Sequence, residues 1–260
     1  SKIEFDNLIT FGKDKKADYM ISNIKESIDG TTFDLNFNGK KFEIKTNLLV
    51  EFNVYNITAA IIVLLNKGYE LNEIIKYCQT LKVDGRMELY KSDDFANVIL
   101  DFAHTPDSIN KITTFINKIK GESKLYVVCG SAGERDASKR PLMGKYCAQY
   151  ANEFILTEDD PRSEKVSDIN VDLKKGINTE SCIVTEIENR YDAIEYVLKK
   201  ANKNDIIVML GKAGQDKMYY DGETVEYIEK NVVLNIDNSD PNVEKRLEIY
   251  VKGPHVVTAK

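Results

Sequence analysis

The sequence predicts an α/β fold in which a mostly parallel sheet is covered by helices and follows a smaller, strand-rich region. Three observations predict this fold. From about residue 85 onward, short apolar runs alternate with segments of helical periodicity. Several of these runs end in loops rich in Gly, Asp and Arg. Before residue 50, apolar and polar residues instead alternate with the period of a strand.

The first 85 residues predict a strand, a hairpin and two helices. A strand covers residues 1–12, with Leu8, Ile9 and Phe11 as its apolar residues, and no helix start or cap comes before it, so we expect the sequence to open within a domain. Residues 17–26 and 31–46 alternate, and Asn38-Gly39 is typical of a hairpin turn. A helix opens at 51–56 and ends at Gly68. The second helix spans residues 72–81.

The remaining residues predict alternating strands and helices. The predicted strands are residues 98–102, 125–129, 154–157, 182–186 and 206–210. The predicted helices are residues 107–119, a helix from Pro141, and residues 168–175 and 190–201. After residue 235 a polar tail alternates around Leu247 and could add an edge strand, but no role is assigned to it.

Composition excludes several classes of protein. The net charge of −6 argues against a nucleic-acid surface, and no apolar stretch or signal peptide indicates a membrane partner, so we expect a cytoplasmic protein. The four cysteines lie far apart without a C-x-x-C pair, which predicts buried reduced thiols. With two histidines in the chain, no metal site is expected.

Charged residues follow two of the predicted strands. Arg135, Asp136, Lys139 and Arg140 follow the strand at 125–129, and an Asp-Asp-Pro-Arg loop follows the next strand. Ligands of open α/β sheets bind outside the carboxyl ends of the strands, and charges of both signs suit a zwitterionic or phosphorylated ligand. The alternative is that these are ordinary solvated loop residues.

Five short motifs occur along the chain in a fixed order. They are residues 52–60, 85–88, 101–107, 133–136 with 139–144, and 159–162. Together they resemble the Mur ligase family, and within it the members that add the third residue of the peptidoglycan stem peptide.

The resemblance implies a domain organisation. Residues 1–85 would be the C-terminal part of the central ATPase domain, residues 86–235 the Rossmann-like C-terminal domain, and residues 236–260 a tail. The family's G-x-x-G-K-[ST] phosphate loop is not in this sequence, because Ala213 follows Gly211-Lys212. ATP and Mg²⁺ would therefore be held mainly by regions outside this chain, which alone should lack ligase activity.

The resemblance also implies an activity, the ATP-dependent attachment of a diamino acid to a UDP-N-acetylmuramoyl dipeptide, UDP-N-acetylmuramoyl-L-alanyl-D-glutamate. No residue of this chain is assigned as catalytic. For ATP, Asn56 matches an adenine contact, Arg86 a phosphate contact and Asp101 a ribose contact. His104 would assist at the nucleotide or brace the turn.

Six residues match the pocket for the incoming amino acid. They are Arg135, Asp159, Asp160, Arg162, Gly214 and Asp216. Members that use meso-diaminopimelate typically have Asp-Asn-Pro-Arg and Gly-His-Glu in these segments, whereas this chain has Asp160 in place of Asn and, after a one-residue insertion, Gly214-Gln215-Asp216. Arg162 favours a second carboxylate and Asp160 a bare ammonium. The sequence thus leaves two candidates for the incoming amino acid, meso-diaminopimelate, which is narrowly preferred, and L-lysine.

Other functions remain alternatives. The chain could be an amino-acid- or nucleotide-binding module or subunit that partners a separate ATPase chain. A nicotinamide dehydrogenase is disfavoured because Gly130-Ser131-Ala132-Gly133 is not a G-x-G-x-x-G motif. The Asp-x-Pro-Arg loop and the Arg135 motif argue against the family's folate-polyglutamylating and cyanophycin-forming members.

Overall fold

The computed structural model describes residues 8–90, 96–178 and 180–235. One compact unit ends at Lys82 and another begins at Val83, and each is described by itself. The predicted edge strand around Leu247 lies outside the described residues. Within the described ranges, every helix is too short or too polar to cross a membrane.

The first unit is a four-stranded sheet with two helices. Its elements are β1 (Phe11–Gly12), β2 (Tyr19–Ser27), β3 (Gly30–Phe37), β4 (Lys40–Thr46), α1 (Glu51–Asn66) and α2 (Leu71–Cys78). The strands follow chain order in the sheet. Asn38 and Gly39 have φ values of 50° and 69°, as the turn of a tight hairpin requires, which confirms the predicted turn. Phe33, Leu35 and Val54 are fully buried in the core of this unit.

The second unit contains a six-stranded sheet and a separate hairpin. Its strands are β5 (Glu88–Tyr90), β6 (Asn97–Asp101), β7 (Leu125–Cys129), β8 (Glu153–Leu156), β9 (Ile183–Glu186), β10 (Ile206–Leu210), β11 (Lys217–Tyr220) and β12 (Glu223–Glu226). The helices are α3 (Pro106–Ile119), α4 (Arg140–Ala148), α5 (Val166–Lys174), α6 (Arg190–Lys200) and α7 (Glu229–Asn235), with one 3₁₀ turn at Ala137–Lys139.

The strand order in the large sheet is β5-β6-β10-β7-β8-β9, and every pair except β5 with β6 is parallel. Val128 and Met209 pack with Ile194 of α6 on one face. Because successive side chains point to opposite faces, Cys129 lies on the other face, where it interacts with Cys147 of α4. The predicted α/β class with a mostly parallel, Rossmann-like sheet is confirmed.

The sequence prediction missed four short elements. These are β5, β11, β12 and α7. β5 is a three-residue strand and β12 is exposed along its whole length, so neither carries a buried apolar pattern. The five strands that were predicted in this unit are all present, within one residue of their expected bounds.

Candidate functional site

A cleft of about 420 Å³ opens at the carboxyl ends of four neighbouring strands, β6, β10, β7 and β8. We call it the strand-end cleft. Parallel strands direct their carboxyl ends to one edge of the sheet, so the loops after these strands meet there. Residues that line it include Phe102, His104, Ser131, Arg135, Asp136, Lys139, Asp159, Asp160, Arg162, Gly211 and Gln215.

Of the ten residues that the resemblance assigned to ATP or the amino acid, five meet in this cleft, namely His104, Arg135, Asp159, Asp160 and Arg162. Gly214 and Asp216 are not among its lining residues. Asp216 is exposed, and its carbonyl accepts a hydrogen bond from the Tyr227 amide at 3.0 Å. Gln215, which lies between them in the sequence, does line the cleft.

The loops after β7 and β8 are bound to each other. The Gly133 amide donates to the Asp160 carbonyl at 3.0 Å, and Arg162 Nη1 donates to the Gly133 carbonyl at 2.7 Å. A Cβ atom at Gly133 would overlap the Pro161 carbonyl, so only glycine permits this approach. Asp160 and Arg162 have φ values of 45° and 51°, which are left-handed conformations that non-glycine residues adopt at some cost.

The two arginines of the cleft keep free donors. Arg162 is half-buried, with its guanidinium 5.9 Å from the centre of the Tyr219 ring. Arg135 is exposed, and its guanidinium has no hydrogen-bond partner in the part of the chain that the structure describes. A guanidinium presents five donors in a fixed planar fork that matches a carboxylate or a phosphate. Both arginines are therefore suited to an anionic group of a ligand.

Asp159 is a buried carboxylate without a partner. Asp159 is 6% exposed, and none of the described residues donates a hydrogen bond to its side chain. Burial raises the pKa of this carboxyl, while the nearby charges of Arg190 and Lys212 act in the opposite direction. The carboxylate packs directly against Gly211, where a Cβ atom would overlap it. An unpaired buried carboxylate in a cleft wall is suited to an ammonium group.

Asp160, in contrast, is already paired. Its Oδ1 atom accepts from Lys212 Nζ at 2.7 Å and from the Tyr219 amide at 3.1 Å. The sequence interpretation that Asp160 adds a free negative charge to the pocket is therefore wrong. The charge is matched by a lysine with no exposed surface, which could not be anticipated from neighbouring residues.

Ser131 was not predicted as a site residue. It directly follows Gly130 at the end of β7 and is 2% exposed. Its hydroxyl has no hydrogen-bond partner, and the residue lines the strand-end cleft. Buried hydroxyls nearly always have a partner, so this one is available to a ligand. Its place directly after a buried strand is the sequence signal that could have identified it.

Arg140 and Lys139 have different roles in this region. Arg140 is 2% exposed and forms ion pairs with Glu164 at 2.8 Å and Asp172 at 3.1 Å, so its charge is used within the protein. Lys139 lines the cleft and donates from Nζ to the His104 carbonyl at 2.9 Å. Of the two, only Lys139 is placed to meet a ligand.

Asp101, the residue predicted to contact the ribose, is held by two backbone amides. Asp101 accepts from the Met87 amide through Oδ2 and from the Ala103 amide through Oδ1, both at 2.7 Å. Burial raises the pKa of this carboxyl. Each oxygen keeps a further lone pair, so a ribose hydroxyl could still donate to it.

Arg86 and His104 both contact the Phe102 ring. The Arg86 guanidinium carbon is 4.8 Å from the Phe102 ring centre, and the His104 ring lies edge-on to the same ring at 4.8 Å. His104 Nδ1 donates to the Phe102 carbonyl at 3.0 Å, since a carbonyl oxygen can only accept. The exposed Arg86 and His104 fit a phosphorylated nucleotide.

Asn56 lies in the first unit, within α1, and donates from Nδ2 to Asn53 Oδ1 at 3.1 Å. It borders an apolar groove of about 570 Å³ between α1 and α2.

No set of three or more His, Cys, Asp or Glu residues with the arrangement of a metal site occurs in the described ranges. No Mg²⁺ ligand is therefore assigned among these residues.

Two family models match the chain. One is described as Mur ligase, glutamate ligase domain, and matches residues 85–213; the other is described as Mur ligase middle domain, and matches residues 1–64. Both matches lie in the regions where the sequence motifs occur.

Similar proteins carry a consistent name. A curated protein of Aquifex aeolicus, UDP-N-acetylmuramoyl-L-alanyl-D-glutamate--2,6-diaminopimelate ligase, is 36% identical over 94% of this chain and 50% of its own length. The protein of the same name from Listeria monocytogenes serovar 1/2a is 35% identical over 95% of this chain and 48% of its own length. The chain thus spans about half the length of the curated relatives that it matches.

Solved structures show the same relationship. A structure of a ligase with that name has a TM-score of 0.63 and 30% identity over 92% of this chain and 47% of its own. The UDP-N-acetylmuramate-alanine ligase of Thermotoga maritima has a TM-score of 0.62 and 22% identity over 78% of this chain and 44% of its own, which supports the fold alone.

Proposed function

This chain belongs to the Mur ligase family, and we propose that it forms the amino-acid-binding part of a ligase that adds meso-diaminopimelate to UDP-N-acetylmuramoyl-L-alanyl-D-glutamate. One observation carries the proposal. The strand-end cleft combines an unpartnered buried carboxylate, Asp159, with the free guanidinium donors of Arg135 and Arg162. These groups are complementary to the ammonium and the carboxylates of an amino acid.

The charges of the cleft favour meso-diaminopimelate over L-lysine. Arg135, Lys139 and Arg162 are cationic, while Asp136 and Asp159 are anionic. Asp160 adds no net charge because Lys212 pairs with it. The excess of positive charge suits the second carboxylate of diaminopimelate and disfavours L-lysine, whose net charge is positive. The names of the curated relatives, which specify diaminopimelate, support the same choice.

The domain assignment is part of the proposal. Residues 1–85 would be the C-terminal part of the central ATPase domain, and residues 86–235 the C-terminal domain. The matched regions of the two family models, 1–64 and 85–213, support it.

We assign Asn56, Arg86, Asp101 and His104 to ATP. When bound, ATP supplies the phosphoryl group that activates the D-glutamate carboxylate of the dipeptide. The exposed guanidinium of Arg86 would contact phosphate oxygens, and Asp101 would accept from ribose hydroxyls through its remaining lone pairs.

The chain's own contribution to the reaction is to position the incoming amine. Asp159 would bind an ammonium, and Arg135 and Arg162 would hold carboxylates, so that the reacting amine meets the activated acyl group in one orientation. Such fixed positioning can contribute several kcal/mol to a bimolecular step, up to about 7–11 kcal/mol in the most favourable cases.

Calorimetric titration of this chain tests the proposal. The titrants are meso-diaminopimelate and L-lysine, each with and without the UDP-linked dipeptide. We expect meso-diaminopimelate to bind at least about tenfold more tightly than L-lysine, a difference of about 1.4 kcal/mol. Absence of binding under all four conditions, or tighter binding of L-lysine, would contradict the proposal.

A further inference from the structure

Lys212 is a fully buried lysine whose donors are all used. Its residue has no exposed surface, and Nζ contacts three acceptors: Asp160 Oδ1 at 2.7 Å, Gln215 Oε1 at 2.5 Å and the Lys217 carbonyl at 2.6 Å. An ammonium has three N–H groups, so none remains for a ligand. Lys212 therefore acts on the strand-end cleft only through its partners.

Those partners join loops that are far apart in the sequence. Lys212 follows β10, whereas Asp160 follows β8, and β7 lies between these two strands in the sheet. Asp160 Oδ1 also accepts from the Tyr219 amide, and the Arg162 amide donates to the Tyr219 carbonyl at 3.0 Å. A continuous set of contacts thus runs from Lys212 through Asp160 and Tyr219 to Arg162.

We infer that Lys212 is a positioning residue that sets the amino-acid specificity of the strand-end cleft. It cancels the charge of Asp160 in the cleft wall, beside the loop from which Arg162 meets a carboxylate. Asp160 and Lys212 therefore act as one neutral polar unit. The inference rests on the proposed function, since it concerns the choice between a distal carboxylate and a bare ammonium.

The charge balance predicts that the two single substitutions change the preference between diaminopimelate and L-lysine in opposite directions. Lys212→Met leaves Asp160 as an uncompensated anion in the cleft wall, which repels the distal carboxylate of diaminopimelate and attracts the ammonium of L-lysine. Asp160→Asn leaves the Lys212 ammonium uncompensated instead, which favours the distal carboxylate. In the double variant Asp160→Asn/Lys212→Met neither charge remains.

The test measures calorimetric dissociation constants of meso-diaminopimelate and L-lysine for the wild-type chain, the two single variants and the double variant. Circular dichroism and thermal unfolding show that each variant is folded. The readout is the ratio of the L-lysine constant to the diaminopimelate constant. We expect Lys212→Met to lower this ratio at least about tenfold, Asp160→Asn to raise it, and the double variant to restore it to within about threefold of wild type.

The outcomes separate the inference from the proposed function. If the wild-type chain binds neither amino acid, the proposed function fails and the inference fails with it. If it binds diaminopimelate and both single variants keep the wild-type ratio, or shift it in the same direction, the inference alone is overturned. If Lys212→Met does not fold, the other two variants test the inference. A ratio for Asp160→Asn that falls below wild type would overturn the inference. A ratio for the double variant that departs from wild type by more than about threefold would also overturn it.

Discussion

Arg162 Nη1 donates to the carbonyl oxygen of Gly133 at 2.7 Å, so a single guanidinium joins the loop after β8 to the loop after β7. Among the residues that the structure describes, its only further hydrogen bond is a long one, from Nη1 to the Asp160 carbonyl at 3.5 Å. Nε and Nη2 therefore remain available at the cleft. One edge of the guanidinium is fixed by the protein, and the other can bind a carboxylate.

Arg162→Ala should weaken binding of meso-diaminopimelate by roughly 10- to 100-fold, because hydrogen bonds to charged groups each contribute about 1.5–3 kcal/mol. Calorimetry measures the change. Arg162→Lys is the matched control, since it retains the charge but not the planar fork, and it should recover only part of the affinity. Unchanged affinity in Arg162→Ala would remove this residue from the pocket.

Ser131→Ala should weaken ligand binding by about 1 kcal/mol, or roughly fivefold, if its hydroxyl is satisfied by the ligand. The free energy of unfolding of the unliganded chain should stay the same or rise, because the substitution removes a buried hydroxyl that has no partner. Urea unfolding and calorimetry provide the two measurements. A loss of stability with unchanged affinity would show that the hydroxyl has a structural partner instead.

Asp159→Asn should stabilise the unliganded protein at pH 7 and weaken ammonium binding. Burial raises the folded-state pKa of Asp159 above the ordinary value of 3.8. Between 3.8 and the raised pKa the folded state binds more protons than the unfolded state, so stability falls as pH rises through this window. The full cost is present above the raised pKa, and Asn does not incur it.

Melting temperatures of wild type and Asp159→Asn between pH 4 and pH 7 measure this effect. The advantage of the variant should shrink as pH falls towards 3.8. Asp107→Asn is a control, because Asp107 is an exposed partner of Lys111 in α3. A variant that is less stable than wild type at pH 7 would contradict the prediction.

Arg190→Met should destabilise the second unit by about 3–5 kcal/mol, because it leaves Glu229 as an unpaired buried charge. Arg190 is fully buried, pairs with Glu229 at 2.7 Å, and also donates to the carbonyl of Glu158, two residues after β8, and to that of Leu210, the last residue of β10. Denaturant unfolding measures the change.

Two controls sharpen this measurement. Adding Glu229→Gln should recover part of the loss, since it removes the unpaired charge while Tyr227 keeps a hydrogen-bond acceptor. Lys111→Met, which breaks the exposed pair with Asp107, should change the free energy of unfolding by less than about 1 kcal/mol. If Arg190→Met and Lys111→Met lowered the free energy of unfolding equally, the buried pair would contribute no more to stability than the exposed one.

The four cysteines should resist thiol reagents in the folded protein. All four are free and buried, as the sequence predicted, and burial raises the pKa of Cys182 to about 11. Burial also raises the pKa of Cys78 and Cys147. Since the thiolate is the reactive form, a chromogenic disulfide reagent at pH 8 should label none of them until denaturant is added. Rapid labelling of the native protein would disprove this expectation.

The sequence determined the main elements because their signals are local. An apolar run such as residues 206–210 is buried on both faces of the sheet, and β10 has the predicted bounds. Asn38-Gly39 determined the hairpin, since few other residues adopt two successive left-handed conformations. The order of strands and charged loops also placed Arg135, Asp159, Asp160 and Arg162 together at one edge.

Only the tertiary structure decided which of these charges are free. Asp159 and Asp160 are adjacent in the sequence, yet one is unpartnered and the other binds Lys212, which lies 52 residues away. The pairing of Arg190 with Glu229 spans 39 residues. Such choices depend on which side chains packing excludes from water, because an unpaired charge is costly only where water cannot reach it. The residue types that form the cleft follow from the sequence, whereas the charge that a ligand meets there is set by the packing of distant loops.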